Sequence, residues 1–252
     1  MKVSTLEEAR AARGLRLVVT AGVPSPWSEA AKGWFDVKGL EYLMVRLTPR
    51  DADVRAWTGH HNAPVAMYDD EPPRAGWAEI LALADRLAPT PRLIPEDPAA
   101  GAAMLELGGT ILGEGGLIWS LRLVLIHEGV ITDGARGFPA AAARYLGAKY
   151  GYAPERIDAA RARVVAVLAA LGDRLGDGRP YLMGDVLTGI DIMAAAALGL
   201  VRPLPVELCP MLPAFRAAYE SLEPTLRDAP TPALLAHRDH IYRSHLSLPV
   251  VL

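Results

Sequence analysis

The sequence has a single cysteine, Cys209, among its 252 residues. An intramolecular disulfide is therefore excluded, and so is a zinc or iron–sulfur site that depends on several thiolates. Cys209 stands between Leu208 and Pro210 with no basic neighbour. These surroundings do not favour an activated thiolate, since low-pKa cysteines lie beside cations or helix N-termini.

The sequence also lacks a surplus of positive charge. It contains 26 Lys and Arg residues against 29 Asp and Glu residues, which gives a formal net charge of −3. Nucleic-acid binding requires a basic face, so we expect no nucleic-acid partner. A hydrophobic fraction of 51% with 22% charged residues is typical of a folded globular protein and excludes disorder as the main state.

Long apolar runs are missing as well. A membrane-spanning helix needs roughly 20 consecutive apolar residues, and the longest run, residues 192–201, is about half as long. Residues 1–15 are charged and have no apolar core of the kind that a signal peptide requires. We therefore expect no membrane association and a reducing, cytoplasmic location.

The first third of the chain alternates strand and helix patterns. Strands are predicted at residues 15–21, 40–47 and 65–69, with a very short fourth at 74–76. A helix is predicted from Pro26 to about Lys38, because Trp27, Ala30, Ala31, Trp34 and Phe35 recur at helical spacing. A second helix is predicted at 77–87. The strand–helix–strand opening predicts a parallel pair joined by a right-handed crossover.

A second part of the chain begins after a proline-rich segment, residues 89–98, which has four prolines in ten residues and is typical of a linker. Helices are predicted beyond it at 98–128, 137–150, 154–176, 189–200, 212–223 and 231–243. The sequence thus predicts a small α/β domain at 14–90 and an all-helical domain at 98–243.

Four features together resemble the cytosolic glutathione transferase family, over residues 14–225. One is this order of elements, and another is Ser25-Pro26-Trp27-Ser28 at the first strand-to-helix turn. The others are Asn62-Ala63-Pro64-Val65 and the segment Gly184–Asp191, GDVLTGID. The resemblance implies a thioredoxin-like α/β N-terminal domain followed by an all-α C-terminal domain. It also implies glutathione as co-substrate, a small electrophile as acceptor, and a homodimer.

Ser25 is the residue that the resemblance assigns to thiol activation. A thiol with a pKa near 8.5 is mostly protonated at neutral pH, and the thiolate is the nucleophile. Lowering that pKa by about 2 units requires about 2.7 kcal/mol, which a hydroxyl donor and a helix N-terminus can supply together. The alternatives are that Ser25 only caps the helix, or that nearby Ser28 contacts the sulfur. A serine where other classes have cysteine argues against thiol–disulfide reduction.

The resemblance implies further contacts with glutathione. It implies a cis Ala63–Pro64 bond, which turns the Ala63 backbone toward the peptide's cysteinyl segment. It places Asn62 near the glycyl carboxylate, although turn formation is an alternative role. At the γ-glutamyl end the sequence departs from the family, since Gly76-Trp77 replaces the usual acidic or amide residue followed by serine. Only backbone amides at a helix N-terminus are then left to bind that carboxylate.

The remaining signals concern the acceptor, metal binding and stability. Trp27 and Trp119 are candidates for the acceptor pocket. The glycines between 108 and 116 allow either close helix packing or room for a ligand. His237 and His240 are one helical turn apart, but no third ligand is fixed, so we expect no metal site. Thr188 and Asp191 have the spacing of a capping box, a structural feature.

The function expected from the sequence is transfer of glutathione to a small apolar electrophile. Two alternatives stay open. One is a non-catalytic binding or scaffold protein with the same fold, which the atypical γ-glutamyl site suggests. The other is a glutathione-dependent isomerase or ether-cleaving enzyme, which would share the thiol site and differ only in the acceptor pocket.

Overall fold

The computed structural model describes residues 1–48 and 51–252. The N-terminal part contains a mixed four-stranded sheet in the order β1-β3-β2-β4. Strands β1 and β2 both pair parallel to β3, whereas β4 runs antiparallel to β2. The strands are β1 (Lys2–Val3), β2 (Leu15–Thr20), β3 (Tyr42–Leu47) and β4 (Val65–Tyr68).

Helices cover both faces of this sheet: α1 (Leu6–Ala11), α2 (Pro26–Val37), α3 (Ala52–Thr58) and α4 (Trp77–Leu87). Side chains alternate between the two faces along a strand. Leu15, Leu17 and Val19 accordingly face the large core that contains α2 and α4. Val18 faces a smaller core with residues of α1 and α3. Burial on both faces explains why β2 is almost continuously apolar.

Two details of this part differ from the sequence prediction. The predicted fourth strand at 74–76 is an isolated bridge between Arg74 and Ala66. In addition, a strand and a helix that were not predicted, β1 and α1, precede β2. Both residues of β1 are exposed, so they carry no apolar pattern. A capping box between Thr5 and Glu8 starts α1.

The chain beyond the proline-rich segment is helical. Its helices are α5 (Pro98–Leu112), α6 (Leu117–Ile131), α7 (Ala140–Tyr150), α8 (Ile157–Arg174), α9 (Gly189–Val201), α10 (Pro213–Glu220), α11 (Pro224–Arg227) and α12 (Pro232–His245). The single helix predicted at 98–128 was wrong. It is two helices, α5 and α6, because a glycine-rich turn at 113–116 interrupts it, with Gly115 at a φ of +68°.

Residues 98–131 together are long and apolar enough to cross a membrane by length and composition. However, 61% of that window is buried inside the protein, as in the core helices of globular proteins. The turn also divides the stretch into two helices of 15 residues each, and each is shorter than the roughly 20 residues that a span requires.

Helix α9 lies at the centre of the molecule, and every one of its residues is buried. It joins the two parts of the chain at its first residue, Gly189. The carbonyl of Gly189 accepts a hydrogen bond from the indole of Trp34 on α2 at 3.1 Å. The amide of Gly189 donates to the carbonyl of Leu93 in the proline-rich segment at 2.8 Å. The start of α9 therefore fixes α2 and the linker together.

Asp191 organises the start of α9 and is fully buried. Its carboxylate accepts hydrogen bonds from the amide and the hydroxyl of Thr188, both at 2.9 Å. It also accepts from the amide of Leu182 at 2.8 Å and contacts Nε2 of His237 at 2.9 Å. Thr188 and Asp191 thus form the capping box that their spacing predicted.

A buried ion pair lies on α2, where the C-terminal residues return to it. Nζ of Lys32 is 2.8 Å from the Glu29 carboxylate and donates to the carbonyl of Val251 at 2.7 Å. Burial raises the pKa of Glu29, although the charge of Lys32 opposes this shift.

Candidate functional site

The corner between β2 and α2 places Ser25 at the start of the helix. Gly22 turns the chain there with a φ of +72°, and Pro26 begins the helix. Ser25 occupies the N-cap position, but its hydroxyl makes no capping hydrogen bond. The helix therefore does not use this hydroxyl, which remains available to a ligand. Ser25 is only 3% exposed, so a ligand atom bound to it would be largely removed from water.

Ser28, the competing serine, has a structural contact. It is fully buried, and its hydroxyl accepts a hydrogen bond from the amide of Thr20 at 3.2 Å. This bond ties the first turn of α2 to the end of β2. Of the two serines, only Ser25 is left without a role in holding the corner together.

The segment before β4 approaches the same corner. The Ala63–Pro64 peptide bond is cis, the isomer that the resemblance implies. The β2–β4 pairing ends at Val18 and Val65, so Pro64 lies next to the end of β2 that leads to Ser25. Among the described residues, neither the N–H nor the C=O of Ala63 has a backbone partner. The Ala63 backbone can therefore pair with an extended peptide. Asn62, just before it, is exposed.

The start of α4 holds the predicted γ-glutamyl contacts, Gly76 and Trp77. The amide of Gly76 already donates to the Glu79 carboxylate at 3.1 Å. The indole of Trp77 packs across Gly108 of α5, where an added Cβ would come within 2.7 Å of the ring and 3.0 Å of Met193. The Trp77 side chain thus belongs to the interface between the two parts of the chain. Gly108 provides the space for it, so the close-packing interpretation of this glycine is the one that the structure supports.

The two tryptophans predicted for the acceptor pocket belong to one cluster with Arg122 and Tyr150. The guanidinium carbon of Arg122 lies 4.5 Å from the centroid of the Trp27 ring, and Arg122 donates a hydrogen bond to the Tyr150 hydroxyl. The rings of Tyr150 and Trp119 meet edge to face with centroids 4.7 Å apart. We call these four residues the acceptor cluster.

Trp27 is fixed within the acceptor cluster by a second contact. Its indole N–H donates to the carbonyl of Leu112, the last residue of α5, at 2.7 Å. Since Trp27 is in the first turn of the helix that Ser25 opens, the acceptor cluster lies beside the Ser25 corner. Arg122 and Tyr150 were not predicted. The available signal was that Arg122 is an isolated cation within the apolar sequence of α6, LIWSLRLVLIHEGVI.

Cys209 and His237 are both in the interior. Burial raises the pKa of the Cys209 thiol to about 11, in keeping with the expectation that this thiol is not activated. Nε2 of His237 is engaged by Asp191, so this nitrogen is not directed at a metal position shared with His240.

Comparisons with known proteins bear on both parts of the chain. Residues 154–240 match the family described as "Glutathione S-transferase, C-terminal domain". No curated protein matches the chain.

Solved structures match over most of the length. A glutathione S-transferase domain-containing protein from Marinobacter aquaeolei VT8 is 20% identical, with a TM-score of 0.65 over 92% of this chain and 100% of that one. A glutathione transferase family member from Pseudomonas fluorescens Pf-5, with two glutathione molecules bound, is 14% identical, with a TM-score of 0.64 over 92% and 89%. A glutathione S-transferase from Methylobacillus flagellatus KT, with glutathione bound, is 16% identical, with a TM-score of 0.61 over 91% and 95%.

Proposed function

From its glutathione transferase fold and its glutathione S-transferase C-terminal domain, we propose that this chain binds glutathione and activates the thiol for attack on a small electrophile. Relatives of the same fold were crystallised with glutathione bound. The observation that carries the proposal is the juxtaposition of two unused groups. One is the Ser25 hydroxyl, which caps no amide, and the other is the unpaired Ala63 backbone before the cis bond.

In this proposal the Ser25 hydroxyl donates a hydrogen bond to the sulfur anion. The free amides and the partial positive charge at the start of α2 add to the stabilisation. A hydrogen bond to a charged group contributes about 1.5–3 kcal/mol, and one pKa unit corresponds to about 1.4 kcal/mol. Ser25 alone would therefore lower the pKa of the bound thiol by about 1–2 units.

The rest of the peptide would be held mainly by backbone groups. Ala63 supplies its N–H and C=O to the cysteinyl residue, and Asn62 lies beside the glycyl carboxylate. The γ-glutamyl carboxylate would bind at the start of α4. There the amide of Trp77 is better placed than that of Gly76, because Glu79 already occupies the latter. We also propose a homodimer, which is the assembly that the family resemblance implies.

The decisive experiment follows the ionisation of bound glutathione. The ultraviolet absorbance of the thiolate is titrated against pH in the natural chain, in Ser25→Ala and in Ser28→Ala. We expect Ser25→Ala to raise the pKa of the bound thiol by about 1–2 units. Ser28→Ala is the matched control, since it removes a buried hydroxyl from the same helical turn. It should lower the stability of the protein and leave the thiol pKa where it was.

The titration, combined with a test of retention on a glutathione resin, separates the transferase from a non-catalytic scaffold. Retention on a glutathione resin, elution by free glutathione and a lowered thiol pKa support the proposal. Passage through the resin without retention would favour the scaffold. Binding with an unshifted thiol pKa in the natural chain would show that Ser25 does not activate sulfur.

A further inference from the structure

Arg122 is a half-buried cation that has no anionic partner in the described part of the chain. Among the residues that the structure describes, no carboxylate oxygen lies within 4.0 Å of its guanidinium, and its one hydrogen-bond acceptor is the Tyr150 hydroxyl. Its Nε is buried without a partner. Arg161, which is also half-buried, instead contacts the carboxylates of Glu128, Asp158 and Glu223. Because buried charges are normally paired, the environment of Arg122 is incomplete as it stands.

A second cation, Lys149, lies near the same Tyr150 ring as Arg122. Nζ of Lys149 is 5.5 Å from the centroid of the Tyr150 ring, and the guanidinium carbon of Arg122 is 5.2 Å from the same centroid. Burial, and then the charge of Arg122, lower the pKa of Lys149, although the residue as a whole is exposed. Two like charges near one ring repel each other, and an anion bound at Arg122 would reduce that repulsion.

Two aromatic rings, those of Trp27 and Tyr150, lie near the Arg122 guanidinium, and the Trp119 ring packs against Tyr150. The Trp27 ring lies against the guanidinium, and Tyr150 and Trp119 continue the apolar wall. Such a wall suits a flat, unsaturated group, and a guanidinium suits a carboxylate, which it can bind through two parallel hydrogen bonds. Since Trp27 is two residues from Ser25, a molecule lying on this wall would be beside the sulfur.

We infer that the acceptor cluster binds electrophiles that carry a carboxylate, with Arg122 as its partner. This inference rests on the proposed function and narrows its substrate class from small electrophiles in general to small electrophiles that have an apolar body and an anionic end. For an aryl halide, the thiolate forms the C–S bond at the carbon that bears the halogen. The C–halogen bond then breaks, and the halide leaves with the bonding electron pair.

The test compares two electrophiles that differ in one group, 4-chloro-3-nitrobenzoate and 4-chloro-3-nitrobenzamide. Each kcat/KM is divided by the rate of the uncatalysed reaction with glutathione, which corrects for their different reactivity. We expect the natural chain to prefer the benzoate. We expect Arg122→Met to lower the benzoate-to-benzamide ratio by about tenfold or more. Arg163→Gln, which removes an exposed arginine from α8, is the control and should leave the ratio unchanged.

A second measurement keeps the inference testable if Arg122→Met does not fold. The S-aryl glutathione conjugates of the two compounds are titrated into the natural chain, and the conjugate with the carboxylate should bind about tenfold more tightly. Equal binding of the conjugates, or a benzoate-to-benzamide ratio that Arg122→Met does not change, would overturn the inference while leaving the transferase proposal intact. Failure to bind glutathione at all would instead overturn the proposed function and the inference with it.

Discussion

The buried carboxylate of Asp191 offers the sharpest test of what holds the start of α9 in place. The Asp191→Ala substitution removes the acceptor for the amides of Leu182 and Thr188, for the Thr188 hydroxyl and for Nε2 of His237. Each buried donor left without an acceptor costs about 1–3 kcal/mol. These costs are not additive, because the cavity can admit water or relax. Breaking a buried charged contact typically costs about 3–5 kcal/mol, and we expect Asp191→Ala to lie in that range.

A graded series connects this magnitude to its cause. Thr188→Ala removes one hydroxyl donor and should cost about 1 kcal/mol, whereas Thr188→Ser keeps the hydroxyl and should cost much less. Asp191→Asn keeps the shape of the side chain but turns one acceptor into a donor that faces other donors. Its loss in free energy of unfolding should therefore lie between those of Thr188→Ala and Asp191→Ala. Urea unfolding followed by tryptophan fluorescence measures the series. Trp34 is a local reporter, because its indole donates to Gly189 at the start of α9.

The outcome that would refute this reasoning is an Asp191→Ala protein whose free energy of unfolding lies within about 1 kcal/mol of the natural chain. That result would mean that the hydrogen bonds to Asp191 are replaced at little cost. The hydrogen-bond partners of Asp191 do not include any residue of the Ser25 corner. The folded fraction of each variant should therefore bind glutathione with the affinity of the natural chain. A loss of affinity in fully folded protein would contradict a purely structural role.

Four further predictions concern other parts of the molecule. Burial raises the pKa of Glu29, so the stability that this carboxyl contributes is present below its unfolded pKa and is lost as pH rises through the native value. The stability of the natural chain relative to Glu29→Gln should therefore fall as pH rises above about 4.5, the ordinary pKa of a glutamate. Urea titrations at several pH values test this, and a relative stability that rises with pH would contradict it. Cys209, with a pKa of about 11, should react with a disulfide reagent only after unfolding, and rapid labelling of folded protein would count against its burial. Asn62→Asp should weaken the binding of glutathione, because the new carboxylate would repel the glycyl carboxylate. It should not weaken the binding of a glutathione analogue whose glycyl carboxylate is an amide, and equal losses of affinity for both ligands would show that Asn62 does not lie at the glycyl end. Gly108→Ala should destabilise the protein by about 1–3 kcal/mol through overpacking. Gly109→Ala, whose added Cβ meets nothing within 4 Å, should instead stabilise it by up to about 1 kcal/mol. Thermal melts should therefore show a lower midpoint for the first variant and a higher midpoint for the second.

Local patterns in the sequence were sufficient to predict several elements. Helix α4 spans Trp77–Leu87, as its apolar spacing predicted, since one face of it packs in the core. The helix predicted at 189–200 is α9, and it is fully buried because its residues are apolar all round. The break between α5 and α6 was missed because glycines alone do not show whether a helix continues or turns. The capping of α4 by Glu79 had a recognisable signal, a glutamate three residues after Gly76.

The acceptor cluster could not be predicted from local patterns. Trp27 and Arg122 are 95 positions apart in the sequence, and their contact depends on how α6 packs against the start of α2. Periodicity places each residue on a helix but does not say which helices meet. The two tryptophans could be proposed only through the family resemblance, and the positive charge beside Trp27 became apparent only when the structure placed Arg122 there.

The departure at the γ-glutamyl site has a physical explanation in the packing of Trp77. The indole covers Gly108 and approaches Met193, which joins α4 to the helical part of the chain. A serine at position 77 would supply the hydroxyl that the family resemblance leads us to expect there. It would also leave the contact with Gly108 and Met193 empty, at a cost below the roughly 3–5 kcal/mol of truncating a fully buried aromatic side chain, because Trp77 is half-buried. One residue cannot fill the interface and also donate a hydroxyl to a ligand at the helix start. In this chain the Trp77 side chain serves the interface, so the glutathione binding that we propose relies more heavily on the Ser25 hydroxyl and the Ala63 backbone.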